Sequence, residues 1–261
     1  MNWIIEDSCF SNGDILLPVL KQLGKQYLIW KDEFWTSGEY KNFPKDSLFH
    51  GSLSNATRIK KEGIFYPGSL CDEKGFSYSY IYEAYNDYIL SKNTIFTTIN
   101  ELLRNKEVLN NLTRVTNKFF TRPNSPLKEF SGRILDKNNI TPAHFDYGFY
   151  HSNMDLEIFV SEYKEIEKEY RFVCINDKII SGCEYLADGR KGIVSVNQND
   201  IWKFAQDIAD LKKQNDFAYI IDVCKSNGKL FLVEMNPFSG ADLYCCDAEK
   251  IIMEIENGRQ R

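Results

Sequence analysis

Histidine is scarce in this chain: three residues in 261, with no H-E-x-x-H pair to seat a catalytic zinc. No G-x-S-x-G turn occurs, which excludes the usual setting of a serine nucleophile in an α/β hydrolase. The seven cysteines (9, 71, 174, 183, 224, 245 and 246) form no C-x-x-C pair, and the adjacency of Cys245 and Cys246 suits neither a zinc knuckle nor an ordinary disulfide. They read as reduced thiols, with Cys174, Cys183 and Cys224 placed in apolar runs as core residues. No stretch approaches 18 apolar residues, and the opening MNWIIEDSCF has neither a basic n-region nor an apolar h-region. The expectation is a cytoplasmic protein with no membrane partner. Basic residues are outnumbered, 32 to 37, for a net charge of −5. That balance argues against a broad nucleic-acid-binding surface, though a local basic cleft is compatible with it.

Apolar residues, by contrast, are plentiful. With 43% hydrophobic and 14% aromatic residues the chain can build a substantial core, and its length suits one large domain or two to three packed lobes. The first section alternates strands and helices. NWIIE (2–6), a helix over 12–24 with a capping Asn or Asp and a closing Gly, and QYLIW (26–30) form a strand–helix–strand unit of the parallel α/β kind. SLFHGSL (47–53) reads as a third strand and 54–63 as a helix capped by Ser54 and ended by Gly63. The aromatic run 76–93 is read as packing against a neighbouring lobe rather than as a base-stacking surface, and 94–112 as a helix.

Near residue 115 the pattern changes to strands. Residues 117–135 give a strand, a Pro-punctuated turn and a Gly-containing segment; 156–186 give three strand-like pieces, the last two joined at Asn176-Asp177. An amphipathic helix over 198–215 has apolar residues at 201, 204, 208 and 211; two strands follow around a Gly-bearing turn, then a closing helix at 246–258. No internal repeat or low-complexity linker is found.

The chemistry is concentrated in KLFLVEMNPFSGADLY (229–244). Side chains two apart on a strand share a face, so Glu234 and Asn236 project together, offering the hard oxygen ligands that Mg²⁺ prefers. The plainer reading of this spacing is a strand end whose polar residues meet water. Antiparallel pairing across the turn brings Asp222 opposite 232–234, and two carboxylates so close call for a neutralising cation. Basic candidates come earlier: Arg122, Lys128 and Arg133 flank the TRPNSPLKEFSG loop, and Arg171 shares a strand face with Glu169. Fixed cations with Mg²⁺ hold a triphosphate, and Gly132 allows close backbone approach to a phosphate. Each basic residue also reads as an ordinary surface charge. The apolar strand ending at Ser161-Glu162 has the form of an adenine-binding hinge with an acid for ribose. His144 and His151 fall in a loop and read as structural or surface groups.

The ordered set FFTRPNSPLKEFSG, FVSEYKEIEKEYRFV and YIIDVCKSNGKLFLVEMNPFSGADLY resembles the ATP-grasp superfamily, and more narrowly its bacterial and phage branch of domains of unknown function, over about 115–245. The resemblance implies an α+β protein with an α/β N-terminal lobe and ATP held between two antiparallel sheets. The division it implies is 1–113 for the N-terminal lobe and 114–261 for the ATP-grasp domain, with a central lobe at about 114–160 and a C-terminal lobe at about 161–261. It implies Mg²⁺ ligands at Asp222, Glu234 and Asn236. ATP contacts fall to Arg122, Lys128, Ser161, Glu162, Glu169 and Arg171, with Lys128 and Arg171 in catalytic roles. Where better-known members carry a lysine on the first strand of the central lobe, this sequence has Arg122, so Arg122 and Lys128 both stand for that role. The implied activity is an ATP- and Mg²⁺-dependent ligase joining a small-molecule or peptide carboxylate to an amine through an acylphosphate. Two alternatives stay open: a nucleotide-binding module without ligase activity, and a ligase that modifies a protein or nucleic-acid end. Acceptor choice is assigned to the N-terminal lobe and the loops at 64–76, 136–155 and 186–198.

Overall fold

The computed structural model describes residues 1–6, 9–10, 15–145, 153–185, 192–195 and 199–258. The N-terminal section is a parallel sheet. Strand β1 (Asn2–Ile5) is followed by helix α1 (Leu16–Gln22), β2 (Tyr27–Ile29), the short helix α2 (Phe34–Ser37), β3 (Asp46–His50), α3 (Leu53–Glu62) and β4 (Tyr66–Gly68). The strand order is β2-β1-β3-β4, with Trp3 opposite Tyr27 and Leu48. The expected strand–helix–strand start is therefore present, while the expected cap at Asn12 or Asp14 lies outside the described residues. Helix α3 closes at Gly63 (φ 60°) as expected, but its cap is Ser52 and not Ser54. Ser52 is extended and its Oγ accepts the Asn55 N–H, because the Glu6 carboxylate at the end of β1 takes both the Ser52 N–H (2.9 Å) and its hydroxyl (2.8 Å). A tertiary partner, invisible to local spacing, moves the helix start by two residues.

The second sheet is antiparallel. Helix α4 (Tyr78–Ala84) leads to β5 (Thr94–Thr98), α5 (Ile99–Arg104), β6 (Lys118–Pro123), β7 (Arg133–Asp136) and β8 (Glu157–Glu162), ordered β5-β8-β6-β7. Residues 94–112 thus do not form one helix. The first five, TIFTT, are β-branched and aromatic, and they pair with β8 from Thr94↔Ser161 to Thr98↔Glu157. Thr98 then opens α5 with a reciprocal capping box to Glu101. That Thr-x-x-Glu spacing was the signal for a helix start at 99.

The third sheet is the largest. It contains β9 (Lys168–Ile175), β10 (Lys178–Tyr185), β11 (Gly192–Ser195), β12 (Ala218–Ser226) and β13 (Lys229–Pro237), all antiparallel in the order β11-β10-β9-β12-β13. The expected hairpins occur at Asn176-Asp177 (φ 50° and 60°) and Asn227-Gly228 (φ 49° and 71°), residue pairs that tolerate positive φ. Helix α6 (Asn199–Ala209) covers one face through Ile201, Ala205 and Ile208, against Phe172, Cys174, Tyr219 and Ile221. Helix α7 (Ala248–Gly258) covers part of the other with Ile251, Ile252 and Ile255, joined there by Trp3, Leu16 and Leu20 of the N-terminal section. Cys174, Cys183 and Cys224 are fully buried, as expected, and all seven cysteines are free thiols. Among the described residues no helix is long and apolar enough to cross a membrane.

Three register shifts interrupt this sheet, one of them between Glu184 and Tyr185 against β11; the other two position residues of the cleft. From the turn, Ser226↔Lys229 to Val223↔Leu232 proceed in step; then Asp222 pairs with Glu234, leaving Val233 over. In the neighbouring hairpin the step occurs between Ile179 and Ser181, after which Cys183 faces Arg171 and Tyr185 faces Glu169. An extra residue flips every later side chain to the opposite face. Without the first bulge Glu234 and Asn236 would point into the apolar layer beneath α6.

Ile220 sits on the α7-side face with no exposure. Ile220→Ala is expected to cost about 2–5 kcal/mol, read as a fall in denaturant midpoint at unchanged slope.

Candidate active site

Residues of the two antiparallel sheets line one cleft of about 1000 Å³. Arg122, Lys128, Ser161, Glu162, Glu169, Arg171, Glu234 and Asn236 all open on it. Asp222 does not: it is fully buried behind them. Its carboxylate accepts two bonds from Arg171, Nε to Oδ1 at 2.8 Å and Nη2 to Oδ2 at 2.6 Å, the fork-to-fork geometry of the strongest ion pairs. Arg171 also donates from Nη1 to the Asp242 carbonyl (2.5 Å) and lies over the ring of Tyr244, 4.5 Å from its centre. Burial opposes its charge, yet Asp222 holds the guanidinium well above its ordinary range.

Glu234 has the opposite surroundings. Oε2 accepts from Arg122 Nη1, and Oε1 accepts from Lys128 Nζ at 3.2 Å. Burial works against this carboxylate, but Arg122 and then Lys128 hold it well below the usual range. Arg122 comes from β6 and Glu234 from β13, so this pair ties the second sheet to the third. Lys128 reaches it from a left-handed backbone position (φ 55°), a strained conformation for a lysine. Its ammonium is pushed down by burial, against the pull of Glu234, with Arg122 adding to the lowering.

Asn236 links the two acids: Nδ2 donates to Asp222 Oδ2 (2.9 Å) and to Glu234 Oε1 (3.0 Å). The donor set is hard oxygen once the amide presents its own oxygen. Two carboxylates and an amide are too few for an all-protein cage, which is how Mg²⁺ is held when phosphates complete its shell. The residues present fit that ion.

The remaining expected residues are dispersed along the cleft. Glu162 pairs with Lys164 (3.1 Å) and Ser161 donates to the Glu162 carbonyl at 3.3 Å. Glu169 has no cation in contact among the described residues; its neighbour is the Tyr185 hydroxyl at 3.4 Å. Burial, with the charges of Asp222 and Glu234, pushes its carboxyl up to about 7. Arg133 belongs elsewhere: it donates to the His144 carbonyl and lies over Phe130. Gly132 lies on the cleft, and a Cβ there would lie 2.7 Å from the Phe120 ring, so packing against that ring also calls for a glycine. His144 is structural, its Nδ1 accepting the Thr141 N–H (3.1 Å), and His151 lies outside the described residues.

Four site residues escaped the sequence reading. The Tyr78 hydroxyl donates to the carbonyl of the bulged Val233 while its ring lies under Arg122, 4.8 Å away, so one side chain fixes both the bulge and the cation. Tyr78 opens α4 in the aromatic run that was correctly read as packing, and only its partners reveal the second role. Tyr185, Tyr244 and Asp242 wall the cleft beside Arg171. A regular hairpin register would have placed Glu184, not Tyr185, opposite Glu169; the bulge hides the pairing.

A cleft between two antiparallel sheets is the architecture of the ATP-grasp fold. The chain belongs to the ATP-grasp family, matching the model of an ATP-grasp domain, family 2 of the R-2-K clade, over residues 93–253. No curated protein matches it by sequence. Among solved structures it is similar to the D-cycloserine synthetase DcsG (TM-score 0.67, 12% identity, 98% of this chain and 99% of that one). It is similar also to the ATP-grasp ligase PsnB complexed with a minimal precursor (TM-score 0.61, 9% identity, 99% and 98% covered). A third is D-alanine–D-alanine ligase from Bacillus anthracis complexed with ATP (TM-score 0.61, 14% identity, 99% and 96% covered). At these identities the likeness establishes the fold.

Because Arg171 and Asp222 are both buried, removing one partner strands the other. Asp222→Asn is expected to cost about 3–5 kcal/mol of stability, seen as a lowered midpoint in chemical denaturation.

Proposed function

We propose that the protein is an ATP- and Mg²⁺-dependent ligase that joins a carboxylate to an amine through an acylphosphate. The observation that carries this reading is the Arg122–Glu234–Lys128 cluster bridged by Asn236, at the base of a cleft between two antiparallel sheets. It supplies cations for a polyphosphate and oxygens for a metal within one small volume. The proposed lobes are 1–113, about 114–160 and about 161–261.

In this mechanism Ser161 and Glu162 form the adenine hinge, with Glu169 further along the same wall as a nucleotide contact. Arg122 and Lys128 would hold the phosphates, and Glu234 and Asn236, with Asp222 behind them, would hold Mg²⁺. The bound ion would offset charge developing on the phosphates. The acceptor carboxylate oxygen attacks the γ-phosphorus and ADP leaves; the amine then attacks the acyl carbon, phosphate leaves, and the amine proton passes to a base. Such a reaction needs positioning and charge neutralisation more than covalent help from side chains. Arg171 contributes by position: locked on Asp222, it fixes the Asp242 backbone and the Tyr244 ring that wall the acceptor side. Small-molecule and peptide substrates both fit a cleft of about 1000 Å³. The free thiols accord with a cytoplasmic setting.

Isothermal titration of ATP with and without Mg²⁺ tests the site. Wild type is expected to bind ATP with a Mg²⁺ dependence that Glu234→Gln loses; a wild-type protein that ignores ATP would sink the proposal. ADP release across carboxylate and amine pairs then tests ligation, and turnover with none would leave a binding module.

Glu169 adds a pH signature. Its charged form accepts hydroxyl hydrogen bonds and its neutral form does so poorly, so ATP affinity is expected to rise as pH climbs through about 7. In Glu169→Gln that part of the pH dependence should vanish, measured as the difference between the two proteins from pH 6 to 8.

A further inference from the structure

The cations of this site occupy the metal's carboxylate. Glu234 uses both oxygens on its own chain, Oε2 for Arg122 and Oε1 for Lys128, and Oε1 also accepts the Asn236 amide. In this arrangement the Asn236 group facing both acids is an NH₂, which cannot ligate a cation. Arg122 is enclosed, with its side chain 10% exposed, and its buried Nε has no hydrogen-bond partner among the described residues. A buried guanidinium with a spare donor and a single carboxylate contact is under-satisfied. Arg171, in contrast, is fully committed to Asp222 and Asp242.

Resting on the nucleotide-site reading above, we propose that Arg122 and Lys128 are exchangeable counter-ions: they neutralise Glu234 in the nucleotide-free protein and transfer to the polyphosphate as a divalent cation takes their place, with Asn236 turning its amide oxygen inward. Each step needs the other. A metal arriving alone must displace two cations that then have no anion, and for the enclosed Arg122 such an uncompensated charge is costly. A polyphosphate arriving alone draws Arg122 and Lys128 away and leaves Glu234 with no cation in contact, while Arg171 stays on Asp222. Arriving together, phosphates and metal exchange partners with charge kept balanced. Metal and nucleotide therefore enhance each other's binding by the same factor, as linkage demands. The site also selects for phosphate chain length, since a ligand without a polyphosphate gives the cations nowhere to go. AMP accordingly leaves the metal site closed, whereas ADP and ATP open it.

The test is Mn²⁺ binding, followed by calorimetry and by the electron-spin signal of the free ion, to the full chain with no nucleotide, with AMP and with ADP. Wild type is expected to bind Mn²⁺ at least tenfold more tightly with ADP than alone, and no more tightly with AMP. Lys128→Gln and Arg122→Gln carry the distinctive sign. Each removes a competing cation from Glu234, so nucleotide-free Mn²⁺ affinity rises by tenfold or more while ADP affinity falls. Lys128, whose side chain is about a third exposed, is the safer variant for folding; thermal melts of both confirm the fold. Mn²⁺ binding equally well with and without ADP, or variants that lose Mn²⁺ and ADP together, would overturn the exchange. Absence of ADP binding at any Mn²⁺ level would sink the nucleotide reading instead, and the rise in nucleotide-free Mn²⁺ affinity in Lys128→Gln would still decide the counter-ion role of that lysine.

Discussion

The site depends on one surplus residue. Val233 bulges from β13, and this alone brings Glu234 and Asn236 to the face that carries Asp222 and Arg171. A regular strand would have buried two polar side chains under α6 among Leu232, Ile221 and Val223, where nothing satisfies them. A bulge leaves a backbone group out of the ladder, and here the Val233 carbonyl is taken by the Tyr78 hydroxyl. Because the same tyrosine lies beneath Arg122, the irregularity that aims the acid also aims its cation. The sheet's second bulge does the same for Tyr185, setting it beside Glu169. Irregular register in this sheet marks the cleft, and regular register marks the core.

Charge is sorted by depth. Asp222 and Arg171 form a closed pair, saturated with hydrogen bonds, in which Asp222 lies behind Arg171 and away from the cleft. Such a pair adds little net stability, since desolvation consumes most of the attraction, but it fixes orientation. Glu234, Arg122 and Lys128 form an open cluster, with one acid shared by two cations and one of those cations partly exposed. The closed pair serves as framework for the open one, and through the Asp242 carbonyl it reaches the loop that carries Tyr244. Glu169, outside both groups and without a cation in contact among the described residues, is a carboxyl pushed up toward neutrality.

Much of this was legible because local rules and tertiary demands agreed. The hairpins at Asn176-Asp177 and Asn227-Gly228 follow from residues that accept positive φ, and they fixed the pairing that brought Asp222 near Glu234. Arg122, Lys128, Glu169 and Arg171 lie where motif order suggested, on the cleft. What was not legible depended on distant partners. Ser52 caps α3 because Glu6 holds it from 46 residues away. Thr94–Thr98 became a strand because β8 offered a free edge, although helical spacing from 99 onward invited extension of the helix backward. Burial of Asp222 behind Arg171 could not be read from spacing at all, since strand alternation gives the face of a side chain and not its depth.

The sheet that bears the site shares its core with the N-terminal section. Trp3, Ile5, Leu16, Leu20, Leu48 and Leu70 pack in the same cluster as Val173, Ile220, Phe238 and Ile251, and all six precede the family-matched segment 93–253. On the opposite face Phe76, Ile81 and Tyr85 close the cluster beneath α6, again from before residue 93. The stretch defined by family likeness is therefore not a unit of folding. Excised, it would expose apolar surface on both sides of its largest sheet, and grafted onto another protein it would need new cover for each. Kinship and modularity part company in this chain: the chemistry is inherited in the second portion, while the right to fold belongs to the whole.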